Sequence, residues 1–422
     1  MSTESQIYYV RSSDTKIAEL GECGGALTTF MKFLLESEMV DGVLTVKRGT
    51  DIYDAVPVLI CDSCEIGETA GSLHCGTLNI AKILVEYFDE VPDMKLAITV
   101  KPCEAETILE LDKRGKINLN NFILVGVNCG GTFPPVHTRN MIRNVFRINP
   151  DEIINEKIEE GKFISENKKG LKKEISIDQL EKGIYENPEE IGENSLEFKA
   201  DKNGKTVIYG RRSNCKRCEM NIPTSAHLGF GNWGVLGDYS GEYSCVEVFS
   251  ELGAEILDKT IEAGFLLVEE VPKEALEIRK KIDKSMANLA KKWQLQDFKE
   301  TEEDIILNIF SSYHSEFEKC IKCFGCKNAC PICYCQECTL ELSTPEWVSK
   351  GKIPPSPLFH LERLIHMVES CTNCGQCEDV CPMDIPLAKI WHQINQKINE
   401  LKYSPGMDKQ DLDLFEYFER PD

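Results

Sequence analysis

The chain has 422 residues, too many for one small domain, and 42% of them are hydrophobic, enough to fill real cores. Its formal charge of −22 argues against a nucleic-acid-binding protein, because that class usually presents a basic face. No apolar run is long enough to predict a membrane span and the first residues lack a signal-peptide layout, so we expect a cytoplasmic protein. Twenty cysteines in a reducing compartment indicate metal binding rather than disulfides.

Helical and strand-like patterns alternate over the first 150 residues. The helical stretches are 24–38, 75–89 and 103–115, and the strand-like stretches are 41–48, 95–100 and 121–127. This alternation predicts an α/β fold with a parallel or mixed sheet that is covered by helices.

The rest of the chain divides by composition. Residues 151–205 are charged and predict a surface insertion or small subdomain, with a short hairpin as one possibility. Residues 273–295 predict a connecting amphipathic helix, whose apolar stripe is Ile278, Ile282, Met286, Leu289 and Trp293. We therefore divide the chain into an N-terminal domain over 1–272, a helical linker over 273–314, a cysteine-rich domain over 315–400 and an acidic tail over 401–422.

Two copies of one cysteine spacing lie near the C-terminus. Each reads C-x2-C-x2-C-x3-C-P, in which three thiolates bind one cubane and the fourth, before the proline, reaches the neighbouring cluster. The spacing predicts two 4Fe–4S clusters. Their ligands are Cys320, Cys323, Cys326 and Cys381 for the first cluster, and Cys371, Cys374, Cys377 and Cys330 for the second. A pair of zinc sites would not require this doubled pattern.

Three further cysteines, Cys333, Cys335 and Cys338, follow the first copy. They can ligate another metal or form part of a binding loop, but inert thiols beside the clusters are the simpler interpretation. Helical patterns at 356–370 and 385–398 flank the second copy. We therefore expect a helical ferredoxin-like domain with two clusters, of the kind that usually docks on partner chains.

A third 4Fe–4S cluster is predicted in the N-terminal domain. Cys103 and Cys129 each follow a predicted strand, and neighbouring parallel strands end at one edge of a sheet. With the C-x2-C pair Cys215 and Cys218 they supply four thiolates. The alternative is that Cys103 and Cys129 are buried small residues and that the pair is a zinc site or a redox dithiol.

Glycine-rich segments open three predicted helices, at 21–30, 71–77 and 129–133. Free N–H groups at a helix start suit a phosphate, but none of the segments has the G-x-G-x-x-G spacing, so ordinary turn glycines are the simpler interpretation. His74 is likewise typical of a structural histidine. Clusters pass single electrons, so a chain that also handled a hydride would need a flavin.

Six segments resemble, in this order, the coenzyme F420 hydrogenase/dehydrogenase beta-subunit family: GECGGALTTFMKFLLESEMVDGVLTVKRG, GSLHC, ITVKPCEAE, GVNCGGT, GRRSNCKRCEM and GNWG. The two ferredoxin motifs that follow are most similar to the formate dehydrogenase branch of methanogenic archaea. The resemblance implies a non-Rossmann flavin-binding α/β domain that holds FAD and a 4Fe–4S cluster. It also implies hydride exchange between FAD and the substrate coenzyme F420, and a molybdopterin alpha subunit, with tungsten or molybdenum, that oxidises formate. A heterodisulfide reductase complex is a further candidate partner.

The resemblance also implies a set of cofactor contacts. These are Cys23, Gly24, Gly25, Thr28, Ser72, His74, Lys101, Pro102, Gly130, Gly131, Arg211 and Arg212. Lys101 and the two arginines are candidates for the acidic tail of the coenzyme. The alternatives are a beta subunit of the F420-reducing hydrogenase, a non-catalytic iron–sulfur relay and docking subunit, and a zinc-rich interaction module. Cys61 and Cys64 leave another ligation of the third cluster open.

Overall fold

A computed structural model of the chain describes residues 6–87, 93–183, 208–298, 311–335, 337–343 and 358–402. The predicted acidic tail beyond residue 402 and parts of the insertion and the linker lie outside these ranges. The strands are β1 (Ile7–Ser12), β2 (Gly42–Arg48), β3 (Ala55–Ile60), β4 (Leu96–Val100), β5 (Phe122–Val127), β6 (Ile153–Glu159), β7 (Lys162–Asn167), β8 (Lys172–Ser176), β9 (Leu228–Gly231), β10 (Ser244–Val248) and β11 (Leu266–Glu270).

Eight of these strands form one mixed sheet in the order β11-β1-β10-β9-β5-β4-β2-β3. The centre, β2-β4-β5-β9, is parallel, and the strands on either side of it pair antiparallel. The mixed α/β fold expected from the alternating pattern is confirmed. Because β4 and β5 are parallel neighbours, the residues that follow them emerge side by side at one edge of the sheet.

Helices cover both faces of this sheet. The helices of the first 300 residues are α1 (Thr15–Leu20), α2 (Ala26–Glu36), α3 (Ile80–Tyr87), α4 (Pro102–Lys113), α5 (Pro135–Met141), α6 (Ile177–Lys182), α7 (Ser213–Lys216), α8 (Glu251–Glu262) and α9 (Lys273–Asp297). Val43, Ala97 and Val125 pack on α2 and α8, whereas Leu44 and Leu124 pack on α3 and α4. Successive strand residues point to opposite faces, and this period of two produces the two cores.

The charged insertion folds onto the body of the protein. Strands β6, β7 and β8 form an antiparallel sheet, and α6 follows it. Phe163 of this sheet packs on Phe133, with ring centroids 5.3 Å apart, and Leu180 of α6 is buried in the same core. Of the two predicted alternatives, the described part of the insertion forms a small subdomain, and its inward-facing residues share a core with residues of the body such as Phe133.

The cysteine-rich segment forms a helical unit with an aromatic core. Its helices are α10 (His314–Phe317), α11 (Gly325–Ala329), α12 (Leu358–Met367), α13 (Gln376–Asp379) and α14 (Leu387–Lys402). Phe317, Phe324, Phe359 and Trp391 are buried in one core that also contains cysteines of both ferredoxin motifs. The helices therefore hold the two motifs against each other.

Two helix predictions need correction. The helix predicted at 75–89 begins only at Ile80, because residues 75–79 run as an extended loop. In α9 the most buried positions are Ala275, Arg279, Ala290 and Gln294, while the predicted apolar stripe is half-buried. The helix turns a partly polar face inward because Arg279 pairs with a carboxylate there and Gln294 finds a backbone acceptor.

Candidate electron-transfer site

The two ferredoxin motifs share one loop conformation. In the first motif Lys322 and Phe324 have φ angles of +52° and +63°, and in the second Asn373 and Gly375 have +53° and +78°. These are the second and fourth residues after the first cysteine of each motif. Left-handed residues at matching places turn each loop tightly enough to direct its thiols inward. In the first loop the backbone N–H of Lys322 donates to Cys320 Sγ at 3.4 Å.

The first set of predicted ligands lies together. Burial and then the nearby Cys381 and Cys323 raise the pKa of the Cys320 thiol, and Cys326 interacts with the same three cysteines. Cys381, which comes from the second motif, therefore joins the first three as the exchange of the fourth cysteine predicts. The four cysteines line one cavity, together with Phe324 and His360.

The second set gathers around the other loop. Cys371, Cys374 and Cys377 interact with one another, and Cys377 also interacts with Cys326 of the first set. Cys330 connects to them through Arg363, whose guanidinium interacts with both Cys330 and Cys377.

The third set assembles at the edge of the large sheet. Cys103 follows β4, Cys129 follows β5, and Cys215 and Cys218 come from α7 and the turn after it. Cys103 interacts with Cys218 and Cys129, and Cys218 interacts with Cys215 and Cys129. All four predicted thiols therefore converge. Cys61 and Cys64 are exposed and do not interact with this set.

Burial raises the pKa of thiols in all three sets, to about 11 for Cys129 and Cys374 and to about 12 for Cys218. Such thiols keep their protons until a metal binds, because metal-bound sulfur is deprotonated. Among the described residues, no three His, Cys, Asp or Glu side chains are close enough together to hold a single metal ion.

The second and third sets meet across the boundary between the sheet and the helical unit. Asn214 Nδ2 donates to the Asn373 carbonyl and Asn373 Nδ2 donates to the Asn214 carbonyl, both at 3.0 Å. The Thr107 and Thr372 hydroxyl groups lie 2.8 Å apart. Residues adjoining Cys215 and Cys374 are thereby locked together. A cavity at this boundary is lined by Cys218 of the third set and Cys371 of the second.

The two arginines that were predicted to contact the coenzyme are buried beside these thiols, and each forms an ion pair within the chain. Arg211 makes two bonds to Glu181, at 2.6 and 3.1 Å, and a third to the Gly130 carbonyl at 2.8 Å. Arg212 pairs with Asp379 and donates to the Cys374 carbonyl at 3.0 Å. Both side chains are about 95% buried, at 4% and 5% exposure. Their position therefore favours a role at the thiol sets over a role toward an exposed coenzyme tail.

Lys101 and Pro102 lie at the start of α4, directly before Cys103. Lys101 Nζ lies 2.8 Å from Glu104 and donates to the Leu78 carbonyl at 2.9 Å. Burial lowers the Lys101 pKa, but the Glu104 and Cys103 charges outweigh it and the net shift is upward. Pro102 takes the first helical position, where a missing N–H costs nothing.

The glycine-rich start of α2 is closely packed by the chain itself. Gly24 and Gly25 have φ angles of +70° and +67°, and a Cβ on Gly24 would lie 2.0 Å from the Glu242 carbonyl oxygen. These glycines are needed where two backbones approach closely. Thr28 is buried in α2 and Ser72 is exposed.

His74 joins the insertion to the glycine-rich loops. Its backbone N–H and its Nδ1 contact the two oxygens of Glu156 at 2.7 and 3.0 Å, and its carbonyl accepts from the Phe133 N–H. Burial lowers the His74 pKa, but Glu156 and Glu22 raise it to about 9. Glu22 also interacts with Cys23, so Cys23 and His74 share one acidic neighbourhood.

The sequence analysis missed Glu156 and Glu181, because nothing in a charged segment distinguishes a buried glutamate from an exposed one.

Asn128, between β5 and Cys129, carries an unsatisfied amide. Its Nδ2 and Oδ1 are both buried with no hydrogen-bond partner in the described part of the chain. It lies against Gly231, where a Cβ would come within 2.5 Å of Nδ2. A Cβ on Gly130 would lie 3.8 Å from Trp233 and 3.9 Å from Met286. Asn128 and Gly130 flank Cys129 of the third set, so these groups belong to the same part of the sheet edge.

The comparisons with known proteins agree with this architecture. The family models for the N-terminal and C-terminal parts of the coenzyme F420 hydrogenase/dehydrogenase beta subunit match residues 7–85 and 93–274, and a 4Fe–4S dicluster domain matches 316–385. The F420-dependent formate dehydrogenase subunit beta of Methanocaldococcus jannaschii is 41% identical over 408 residues, which are 96% of this chain and 98% of that one. The F420-dependent formate dehydrogenase 1 subunit beta of Methanococcus maripaludis is 41% identical over 412 residues, 96% of each chain.

A solved chain of the F420-reducing [NiFe] hydrogenase complex from Methanosarcina barkeri shares the fold. Its TM-score is 0.54 at 18% identity, over 69% of this chain and 92% of that one. The present chain therefore belongs to the coenzyme F420 hydrogenase/dehydrogenase beta-subunit family. Within it, the chain is an oxidoreductase of the formate dehydrogenase beta-subunit type, because its identity to those subunits runs through the cysteine-rich domain as well. No helix in the described ranges combines the length and the apolar character that crossing a membrane requires.

Proposed function

We propose that this chain relays single electrons through three 4Fe–4S clusters to an FAD that exchanges a hydride with coenzyme F420. The observation that carries the proposal is the continuous series of thiol sets. Cys326 of the first set interacts with Cys377 of the second, and Arg212 interacts with both Cys374 of the second set and Cys215 of the third. Electron transfer between cofactors needs such proximity.

Each thiol set fits the cluster proposed for it. Converging thiols beside buried basic side chains suit an anionic cubane, which Cys residues hold as thiolates. The clusters would supply one-electron transfer, and the protein positions them. Of the domains proposed above, residues 1–272 contain the third set and residues 315–400 contain the second. The contact between these two sets therefore joins the two proposed domains.

We place the formate-oxidising partner at the first set. Cys323 is exposed, unlike Cys320 and Cys326. Around it, Ile321 and Val380 are 38% and 42% exposed, and the Val380 carbonyl lies beside Gly325. An apolar surface around an exposed ligand suits a docked redox partner, and we propose the molybdopterin alpha subunit there. A heterodisulfide reductase complex is the second candidate for this surface.

We place FAD at the opposite end of the series, at the sheet edge beyond the third set. Bound FAD would convert a hydride into single electrons. Asn128 would pair with the ring through its unsatisfied amide, and Gly130 would let the ring approach the backbone closely. His74 and Cys23 stay candidates for the same cofactor, and a cytoplasmic location stays a prediction.

The proposal is tested first on the full chain, purified without oxygen and supplied with FAD. Reduced coenzyme F420 is added with a viologen dye, and we expect the absorbance of the oxidised coenzyme to return as the dye is reduced. A chain that takes up no flavin and shows no turnover would instead be the non-catalytic relay subunit.

The order of the relay is tested with the double variant Cys215→Ser and Cys218→Ser, with the exposed Cys61→Ser as the matched control. We expect the double variant still to oxidise one equivalent of reduced coenzyme per FAD, but its first and second clusters to stay oxidised in EPR spectra. Reduction of those clusters at the rate of the control would contradict the relay through the third set.

A further inference from the structure

Arg363 is a fully buried cation that has no carboxylate partner among the described residues. It lies on α12 and is 2% exposed. Its Nη1 donates to Cys326 Sγ at 3.1 Å and its Nη2 to the Cys326 carbonyl at 3.2 Å, while Nε has no partner. No acidic side chain of the described residues pairs with it, and its guanidinium lies over the Trp391 ring at 5.7 Å.

The guanidinium lies between the first and second thiol sets. It interacts with Cys326 of the first set and with both Cys377 and Cys330 of the second. Cys333, one of the extra cysteines, interacts with it as well and donates to Met367 Sδ at 2.7 Å. Among the described residues, thiols are thus the only ionisable side chains near the guanidinium that become anionic, as they do when they bind a metal.

An unpaired buried cation is costly. Breaking a buried ion pair by removing one partner typically destabilises a protein severely, because the remaining charge has lost both water and partner. The other buried arginines of the described residues are paired: Arg211 with Glu181, Arg212 with Asp379, Arg217 with Asp297 and Arg279 with Glu247. Arg363 differs because its counter-charge must come from what the thiols bind.

We propose that Arg363 is the shared counter-charge of the first and second clusters and raises the reduction potential of both. The inference rests on the proposed function only in requiring clusters at these two thiol sets. A positive charge stabilises the reduced form of each cluster, which carries one more negative charge. Arg363 keeps its proton and its position while one electron leaves one cluster and one electron is gained by the other, so it acts on both halves of the step.

The test is an EPR-monitored redox titration of the complete, cluster-loaded chain. In Arg363→Met, which preserves length and removes charge, we expect two cluster waves to shift to lower potential. The expected shift is at least tenfold in the one-electron equilibrium, or about 59 mV. The third wave stays in place. In Arg363→Lys, which keeps the charge, all waves stay within about threefold of wild type, or about 30 mV.

Arg279→Met is the matched control, because Arg279 is equally buried at 3% exposure but pairs with Glu247 rather than with a cysteine of the thiol sets. Its waves should stay at wild-type potentials. Iron and sulfide are counted in every variant. Loss of clusters in Arg363→Met together with their retention in Arg363→Lys also supports the proposal, because only the lysine variant keeps the positive charge.

Unchanged reduction potentials of the clusters in Arg363→Met would overturn the proposal. Equal loss of clusters in Arg363→Met and Arg363→Lys would overturn it as well. The proposed function fails separately, since a wild-type chain without iron–sulfur signals or without flavin-linked turnover would refute it before any variant is made.

Discussion

Replacing Glu181 by alanine would leave Arg211 buried without its counter-charge. The two side chains are each 4% exposed and joined by two hydrogen bonds. Burial lowers the Arg211 pKa, but Glu181 outweighs that effect, so the guanidinium is held charged. In the variant, only the Gly130 carbonyl and nearby thiols remain to face it.

The expected cost is about 3–5 kcal/mol in the free energy of unfolding, the usual result of stranding a buried charge. The control is Asp178→Ala on the same helix. Asp178 is 62% exposed and pairs with Lys182 at 2.7 Å, an exposed pair that contributes about 0.5 kcal/mol or less. Glu181 and Asp178 lie three positions apart on one helix. We attribute the roughly tenfold difference in the free energy that each substitution costs to the burial of Glu181.

The assay is urea unfolding without oxygen, followed by circular dichroism and by cluster absorbance. The double variant Glu181→Leu and Arg211→Met, which removes both charges, should recover most of the lost stability. Equal small losses for Glu181→Ala and Asp178→Ala would refute the buried-pair reasoning. If Arg211→Lys instead raises the KM for coenzyme F420 while its stability and clusters stay intact, the prediction that Arg211 contacts the coenzyme is supported.

Two further predictions concern the glycine-rich loops. The His74 pKa, about 9 against an ordinary 6.5, means that its pairing with Glu156 stabilises the fold fully below pH 6.5 and is lost as the pH rises through 9. The advantage of wild type over His74→Gln in urea unfolding should therefore shrink by about 3 kcal/mol across that window, and a pH-independent difference would contradict the pairing. Gly24→Ala should cost about 2–4 kcal/mol, because its Cβ would meet the Glu242 backbone, whereas Gly115→Ala, with a similar φ in open space, should cost about 1 kcal/mol. Equal costs in thermal unfolding would remove the steric argument.

The cysteine spacing alone predicted the two ligand sets of the ferredoxin motifs. Covalent loop geometry limits how a C-x2-C-x2-C-x3-C-P segment can present its thiols, so the partition of two ligand sets could be written from local sequence. The placement of Cys103 and Cys129 was also predictable, because consecutive buried strands with helices between them pair in parallel and end at one edge.

The counter-charges were not predictable. Glu181 and Glu156 come from a segment whose composition resembles solvated surface, and the helical pattern at 356–370 does not show which groups Arg363 contacts. Pairing across long sequence distances depends on which faces the tertiary fold brings together, and local periodicity carries no information on that.

The sequence by itself determined the class of fold, the family and the chemistry of the thiols, because spacing and alternation are local properties. Only the tertiary structure decided that the second and third thiol sets meet, through Asn214 and Asn373, and that Arg211 and Arg212 are buried within that meeting point. The sequence does not show whether a charged side chain faces water or a buried partner. That depends on which surfaces the tertiary structure covers and so excludes from water.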